Sequence, residues 1–306
     1  MASKKLLDLS QEKQKAFFES FDTVFCDVDG VLWKPGHSAI EGAQEAIETL
    51  RKIGKKLFFV TNNSAVPIDM YLARMKGFGV TREEVIRPIR ALIWYLKKLK
   101  FDKEVYVVGT QALKDELKEA GFKVVYNEVS PMVETLENIA KQLQQRRPDV
   151  GAVIVDFVIN VDYWGLQQCI EYITKNKALF LIGASDPRLP FMGTTLISPV
   201  QFAQIIQDIT GVSPKILSKP GKEFNEVLQE NIGPYDPKSI LFIGDSVETD
   251  MAFATEYGYQ KMLTLTGLTS KEDLNNWRHD QKFKPDYVVD SIGDLYTVAS
   301  NLGFKN

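Results

Sequence analysis

Two aspartates one residue apart, Asp27 and Asp29, close an apolar run and are followed at once by Gly30. In an extended strand residues i and i+2 point the same way, so both carboxylates can face one reacting centre. One can then attack as a nucleophile while the other exchanges protons with a leaving oxygen. Gly30 permits the sharp turn and close backbone approach that follow. An isolated Asp-x-Asp-Gly also caps turns, so the pair alone decides nothing. Thr61, after Phe58-Phe59-Val60, is either a helix N-cap or a hydroxyl that grips a phosphoryl oxygen together with the backbone N–H of Asn62. Lys219, in Ser218-Lys219-Pro220-Gly221, is either a surface lysine or a positive charge set against a developing phosphoryl charge. Asp245, after Gly244, is either an N-cap or a metal ligand, with Asp250 behind it to hold it in place.

The elements that must position these residues alternate between strand and helix. Thr23–Cys26, Lys56–Val60 and Ser239–Ile243 are apolar runs of strand length, and each ends in one of the polar clusters. Helical spacing of apolar residues follows in Ile40–Leu50, Asp69–Lys76 and Ile89–Leu99, with Gly54, Gly77 and Gly79 as stop signals. From about residue 102 the alternation starts afresh. Strands are expected at Val105–Val108, Phe122–Tyr126, Ala152–Val155 and Ala178–Ile182, and helices at Ala112–Ala120, Met132–Gln145, Tyr163–Lys175 and Val200–Gly211. A last block has helices at Phe224–Asn231 and Asp250–Tyr257 and strands at Lys261–Thr266 and Tyr287–Val289. Such alternation predicts an α/β fold: doubly wound parallel sheets with helices on both faces. In such sheets ligands bind beyond the strand C-termini. Four carboxylates would converge there, and their repulsion calls for a cation. Oxygen ligands with only two histidines in the chain suit Mg²⁺ rather than Zn²⁺.

Taken in order, these segments resemble the haloacid dehalogenase-like phosphatases, in particular the branch of phosphoglycolate, pyridoxal-phosphate and 4-nitrophenyl-phosphate phosphatases. The resemblance is carried by Phe25-Cys-Asp-Val-Asp-Gly-Val-Leu-Trp33, Val60-Thr-Asn-Asn-Ser64, Lys219-Pro220 and Gly244-Asp245 with Glu248-Thr249-Asp250. It implies a Rossmann-like core, residues 1–101 and 213–306, with an α/β cap inserted at 102–212. It further implies a phosphomonoesterase that acts on small phosphorylated metabolites through an aspartyl phosphate. Asp27 would be the nucleophile and Asp29 the acid/base. Mg²⁺ would be held by Asp27, Asp245 and the main-chain oxygen of Asp29. Thr61, Asn62, Asn63 and Lys219 would bind substrate. A homodimer formed through the cap is also expected. The alternative is a catalytically weak relative kept as a scaffold, but no essential Asp or Lys is lost.

The chain departs from the family pattern at Ser218, where Gly is usual before Lys-Pro, at Ser185, and at Met192-Gly-Thr-Thr195. These differences bear on the substrate rather than the chemistry. Leaving-group selectivity must come from the cap, where Asp156–Tyr163 and Ser185–Leu189 read as loops. There Arg188 either pairs with a substrate carboxylate or stays solvated, and Phe157, Trp164 and Phe191 either line a pocket or fill the cap's core. Trp33 is expected to pack against the cap, with a direct substrate contact as its alternative; His37 to lie in an exposed loop rather than line the pocket mouth; and Cys26 to sit in the core, with a redox role as its alternative.

Composition removes other classes. The 37 basic and 40 acidic side chains give a net charge of −3, so no bulk positive field exists to hold nucleic acid or an anionic membrane. Two cysteines make no disulfide framework, and the first residues carry no secretory leader, which points to a cytoplasmic protein. No Gly-x-Ser-x-Gly elbow supports a serine hydrolase, and no Gly-x-Gly-x-x-Gly follows a strand. A receiver domain would not explain Asp27-x-Asp29 together with Gly244-Asp245.

Overall fold

The computed structural model describes residues 3–34, 38–129, 133–191 and 193–304. His37, Met132 and Met192, each named above, lie outside them. Fourteen strands are seen among the described residues, and twelve of them form two all-parallel sheets. The first sheet runs in the order β1 (Lys4–Lys5), β14 (Tyr287–Val289), β13 (Gln260–Thr264), β12 (Ile240–Gly244), β2 (Thr23–Cys26), β3 (Lys56–Val60), β4 (Val85–Ile86). The second runs β11 (Lys215–Ile216), β8 (Leu179–Ile182), β7 (Val150–Val155), β5 (Glu104–Val108), β6 (Lys123–Val125). A short antiparallel hairpin, β9 (Leu189–Phe191) with β10 (Thr194–Leu196), completes the set.

Strands β2 and β12 are buried along their whole length, as a parallel sheet covered on both faces requires. One face is covered by Leu6, Phe17, Ile47, Leu50 and Leu295 among others. The other meets helices Pro88–Lys98 and Lys222–Ile232, which lie between the sheets. Their Ile89, Leu92, Phe224 and Leu228 pack in one cluster with Val60 and Phe242 of the first sheet and Val105, Ile154 and Leu181 of the second. Burial of each such side chain stabilises by roughly 1.5–3 kcal/mol, so this shared layer fixes one sheet against the other.

The long elements fall where the sequence places them, with ends shifted by at most four residues. Ile40–Gly42 precede the helix rather than open it, because Gly42 takes φ +76° and the helix starts at Ala43. The helix expected from Met132 starts at Leu136 behind the cap residue Thr135. Residues 247–251 form a π-type turn ahead of helix Ala252–Tyr257, which brings Asp250 back toward the strand end. Strands β1, β4 and β11 have two residues each and carry no readable period. Helices Gln11–Glu19 and Gly293–Asn301 were not expected; the first buries only Gln14, Phe17 and Phe18.

Candidate active site

In the first sheet the chain passes from β2 outward to β3, and later returns on the opposite flank through β12. This reversal opens a crevice at the strand C-termini. Asp27 follows β2, Thr61 follows β3, and Asp245 follows β12, so the sheet itself brings these three together. The Asp27 backbone N–H extends the ladder by donating to Ile243 (2.8 Å), which fixes where the chain turns outward. Gly30 adopts φ +92°, and a Cβ there would stand 2.4 Å from Asp245 Oδ2. Gly244 and Gly267 are equally constrained, since a Cβ would meet Asp250 at 2.3 Å and Asp245 at 1.8 Å. Three glycines therefore let the backbone close around the acidic groups.

Lys219 is 1% exposed, and its ammonium donates to Asp27 Oδ1 (2.6 Å) and Asp250 Oδ1 (2.7 Å). Burial alone would lower its pKa, but Asp250 and then Asp27 outweigh that and raise it, so the group stays charged. The second Asp250 oxygen accepts from the backbone N–H groups of Asp245 (3.0 Å) and Ser246 (3.1 Å). Both Asp250 oxygens are thus engaged, one by the ammonium and the other by two backbone N–H groups. Asp245 Oδ2 accepts from Leu268 N–H (2.6 Å). Carboxylate oxygens of Asp27, Asp245 and Asp250 lie within 4.8 Å of one another. Against three such groups Lys219 supplies one positive charge. The strain shows in their titration: burial, with Asp250 and Asp245 adding to it, raises Asp27 well above the ordinary carboxylate range despite Lys219. Burial and then Asp250 push Asp245 up to about 7. A hard divalent cation fits this donor set, because it offsets the remaining charge with oxygen ligands alone.

Asp29 sits half-buried at the crevice edge, where Oδ1 accepts from Trp33 Nε1 (2.9 Å) and Oδ2 from Asn63 Nδ2 (3.0 Å). Thr61 Oγ1 accepts from Asn63 N–H (3.0 Å), which curls the loop after β3. Asn62 is tied to the lysine segment through Lys219 N–H (2.9 Å) and Lys219 O (3.1 Å). All the expected site residues (Asp27, Asp29, Thr61, Asn62, Asn63, Lys219, Asp245 and Asp250) therefore converge on one crevice.

Two acidic residues there were not singled out in the sequence. Asp186 accepts from Asn62 Nδ2 (3.1 Å), and burial pushes its carboxyl up to about 6. Asp156 is 1% exposed, raised by burial, and accepts from Ser64 Oγ, Phe157 N–H (2.6 Å) and Ala184 N–H (3.3 Å). The available signal was the repeated pattern: both follow strands of the second sheet, as Asp27 and Asp245 follow strands of the first. The two serines that depart from the family pattern touch each other. Ser218 Oγ donates to Ser185 Oγ (2.7 Å), which donates to Lys219 O (2.7 Å).

Trp33 corrects an expectation. Among the described residues it packs in the cluster on one face of the first sheet rather than with residues 102–212: it is 1% exposed, edge-on to Tyr71 at 5.8 Å and tilted against Phe78 at 6.1 Å. Cys26 is fully buried and donates to Asp27 O (3.0 Å); burial and then Asp27 raise its pKa, so it stays an unreactive thiol. Phe191 is exposed, and Phe157 and Trp164 are half-buried, Trp164 edge-on to Tyr163 at 5.6 Å. Arg188 is exposed and faces Glu248 across 3.5 Å, joining the 185–189 loop to the turn after β12.

Residues 24–123 match a family model described as haloacid dehalogenase-like hydrolase, and residues 216–295 a second model of the same hydrolase type. A 4-nitrophenylphosphatase of Schizosaccharomyces pombe is 30% identical, covering 95% of this chain and 98% of its own. A glycerol-3-phosphate phosphatase of Mus musculus is 32% identical over 94% of each. The solved structure of a p-nitrophenyl phosphatase from Archaeoglobus fulgidus superposes with a TM-score of 0.77 at 22% identity, covering 91% of this chain and 99% of that one.

Proposed function

This chain belongs to the haloacid dehalogenase-like hydrolase family and is a phosphoric monoester hydrolase, and on that premise we propose a Mg²⁺-dependent reaction through an aspartyl phosphate on Asp27. The observation that carries it is the buried Asp27–Lys219–Asp250 arrangement, with an Asp245 carboxylate oxygen within 4.8 Å of those of Asp27 and Asp250. Asp27, Asp245 and the main-chain oxygen of Asp29 would hold Mg²⁺, which supplies charge stabilisation for the phosphoryl oxygens when bound. Thr61, Asn62, Asn63 and Lys219 hold the phosphoryl group, directly or by shaping the loop around it. An oxygen of Asp27 attacks phosphorus; the ester P–O bond breaks, and its electron pair leaves on the ester oxygen, which takes a proton from Asp29. Asp29, now a carboxylate, takes a proton from water as that water attacks the phosphoenzyme. The Asp27–phosphorus bond breaks, phosphate departs, and Asp29 is again protonated.

The protein's substrates are, on this reading, small phosphorylated metabolites in the cytoplasm, covered by a cap at 102–212 between core segments 1–101 and 213–306. Support for the insertion is that the two family models leave 124–215 between them. Exposed Leu136, Ile159, Tyr163 and Ile209 in that block offer the apolar surface for the proposed homodimer, which light scattering at several concentrations checks. Among the described residues no helix is long and apolar enough to cross a membrane.

Purified protein should hydrolyse 4-nitrophenyl phosphate with Mg²⁺ and stop with EDTA; full activity in EDTA would refute the metal assignment. A thermal measurement tests the site independently of turnover. The Asp245 carboxyl, pushed up to about 7, binds its proton more tightly in the folded metal-free protein than in the unfolded chain. That contribution to stability is complete below the ordinary carboxylate pKa and is lost as pH rises through about 7. Mg²⁺ takes the proton's place, so the Tm increase it produces should be larger at pH 8 than at pH 6. An equal increase at both would count against cation binding at Asp245.

Selectivity rests on the second block. With its Glu248 contact exposed, Arg188 contributes little to stability and is available to a substrate carboxylate. Arg188→Ala should raise KM for carboxylated phosphoesters such as phosphoglycolate, while 4-nitrophenyl phosphate turnover stays within about three-fold. An unchanged ranking of substrates would return Arg188 to the solvated surface.

A further inference from the structure

Trp33 closes the first motif, yet the reaction above gives it no task. Its place is nevertheless closely determined. Gly30 N–H donates to Trp33 O (2.7 Å), and Trp33 bridges both Asp29 and Ala39, so the 29–33 turn delivers the ring to one spot. The ring is 1% exposed between Tyr71 and Phe78, with the Arg74 guanidinium 4.3 Å from its centre. An indole buried in this way has a single polar atom, and leaving its N–H without an acceptor would be costly. The acceptor it finds is Asp29 Oδ1 at 2.9 Å.

We propose that Trp33 is a positioning residue that fixes the Asp29 carboxyl in the rotation from which it exchanges protons with the ester oxygen. The inference rests on the assignment of Asp29 as the acid/base. A carboxyl turns about a broad, two-fold torsion, so a single anchor leaves its plane undefined. Here each oxygen has its own donor, Trp33 Nε1 on Oδ1 and Asn63 Nδ2 on Oδ2. With one lone pair of each oxygen engaged, the plane is set and the remaining lone pairs are left for the reaction. The two donors differ in burial. Asn63 is half-buried on the loop after β3, whereas the Trp33 ring is held among core side chains. The cation over its face draws on the ring's electron density and strengthens the N–H as a donor.

The consequence is specific to proton delivery. 4-Nitrophenolate leaves with little help, whereas phenolate, the same ring without the nitro group, needs its oxygen protonated. In Trp33→Phe the packing is largely kept and the N–H is gone. Its kcat/KM should fall about three- to ten-fold more for phenyl phosphate than for 4-nitrophenyl phosphate, a fraction of what losing the acid itself costs. Inhibition by inorganic phosphate should not change. Equal losses on the two esters, or none, would overturn the proposal, because a structural role makes no distinction between leaving groups. If Trp33→Phe does not fold, benzothienylalanine at position 33, which replaces the N–H by sulfur in a ring of the same outline, is measured with the same two outcomes. Asp29→Asn, run alongside, separates the assignments. If it too fails to distinguish the esters, the role given to Asp29 is wrong; if it distinguishes them and the Trp33 variant does not, only the role of Trp33 falls.

Discussion

Asp27→Asn should fold, bind Mg²⁺ weakly, and hydrolyse 4-nitrophenyl phosphate at least about 10³–10⁴-fold more slowly than the wild type. The amide cannot form the phosphoenzyme, and the rate that survives comes only from water near a bound, charge-neutralised ester. Stability should move the other way. The Asp27 carboxyl is raised by burial, so at neutral pH its charge is a cost that the amide removes. A variant that is nearly inactive yet melts no lower than the wild type is therefore expected. Acid-quenched wild type should carry the mass of one HPO₃ on the peptide containing Asp27, and the variant should not. Normal turnover in folded Asp27→Asn would remove Asp27 as nucleophile.

Lys219→Met should have the largest effect on stability. Its ammonium is the shared partner of Asp27 and Asp250, and all three groups are buried. Because both partners raise the lysine's pKa, its contribution is fully present throughout the neutral range and would be lost only above the ordinary lysine value. Removing one member of a buried ionic cluster leaves uncompensated charge and costs about 3–5 kcal/mol. The melting temperature should drop accordingly, more at pH 8 than at pH 5.5, because the orphaned Asp27 carboxyl, raised by burial, can take up a proton at the lower pH. Mg²⁺ should restore part of the loss. Activity should fall as well, since the charge facing the phosphoryl group is gone. Unchanged melting in urea or heat would mean that Lys219 does not hold the two carboxylates.

The sequence disclosed this site because parallel sheets align strand ends. Once Asp27, Thr61 and Asp245 are each placed after an apolar run, topology does the rest, and no side-chain detail is needed. The supporting residues were less visible because hydrogen bonds, unlike hydrophobic period, leave no spacing in the chain. Asp156 and Ser64 come from different sheets, and only the folded molecule joins them. The same holds for Ser185 and Ser218, which look like two separate departures from a pattern and prove to be one contact. Trp33 was misjudged for a related reason. An aromatic residue just past a catalytic turn is equally suited to the crevice or the core, and the choice depends on Tyr71 and Phe78, far along the chain. The two-residue strands were illegible because an alternation needs more than two residues to exist.

The interior strand β2 lies between β3, which follows it soon in the chain, and β12, which arrives much later. During synthesis this order has a cost in time. At about 5–20 residues per second, on the order of ten seconds or more pass between the emergence of Cys26 and that of Gly244. Throughout that interval one flank of Thr23-Val24-Phe25-Cys26 has no partner, and an apolar strand with an open edge invites pairing with another nascent chain. Asp27, the proposed nucleophile, is made well before Lys219, Asp245 and Asp250. The unfinished chain thus carries this open apolar edge before the partners proposed to complete the Asp27 site have been made.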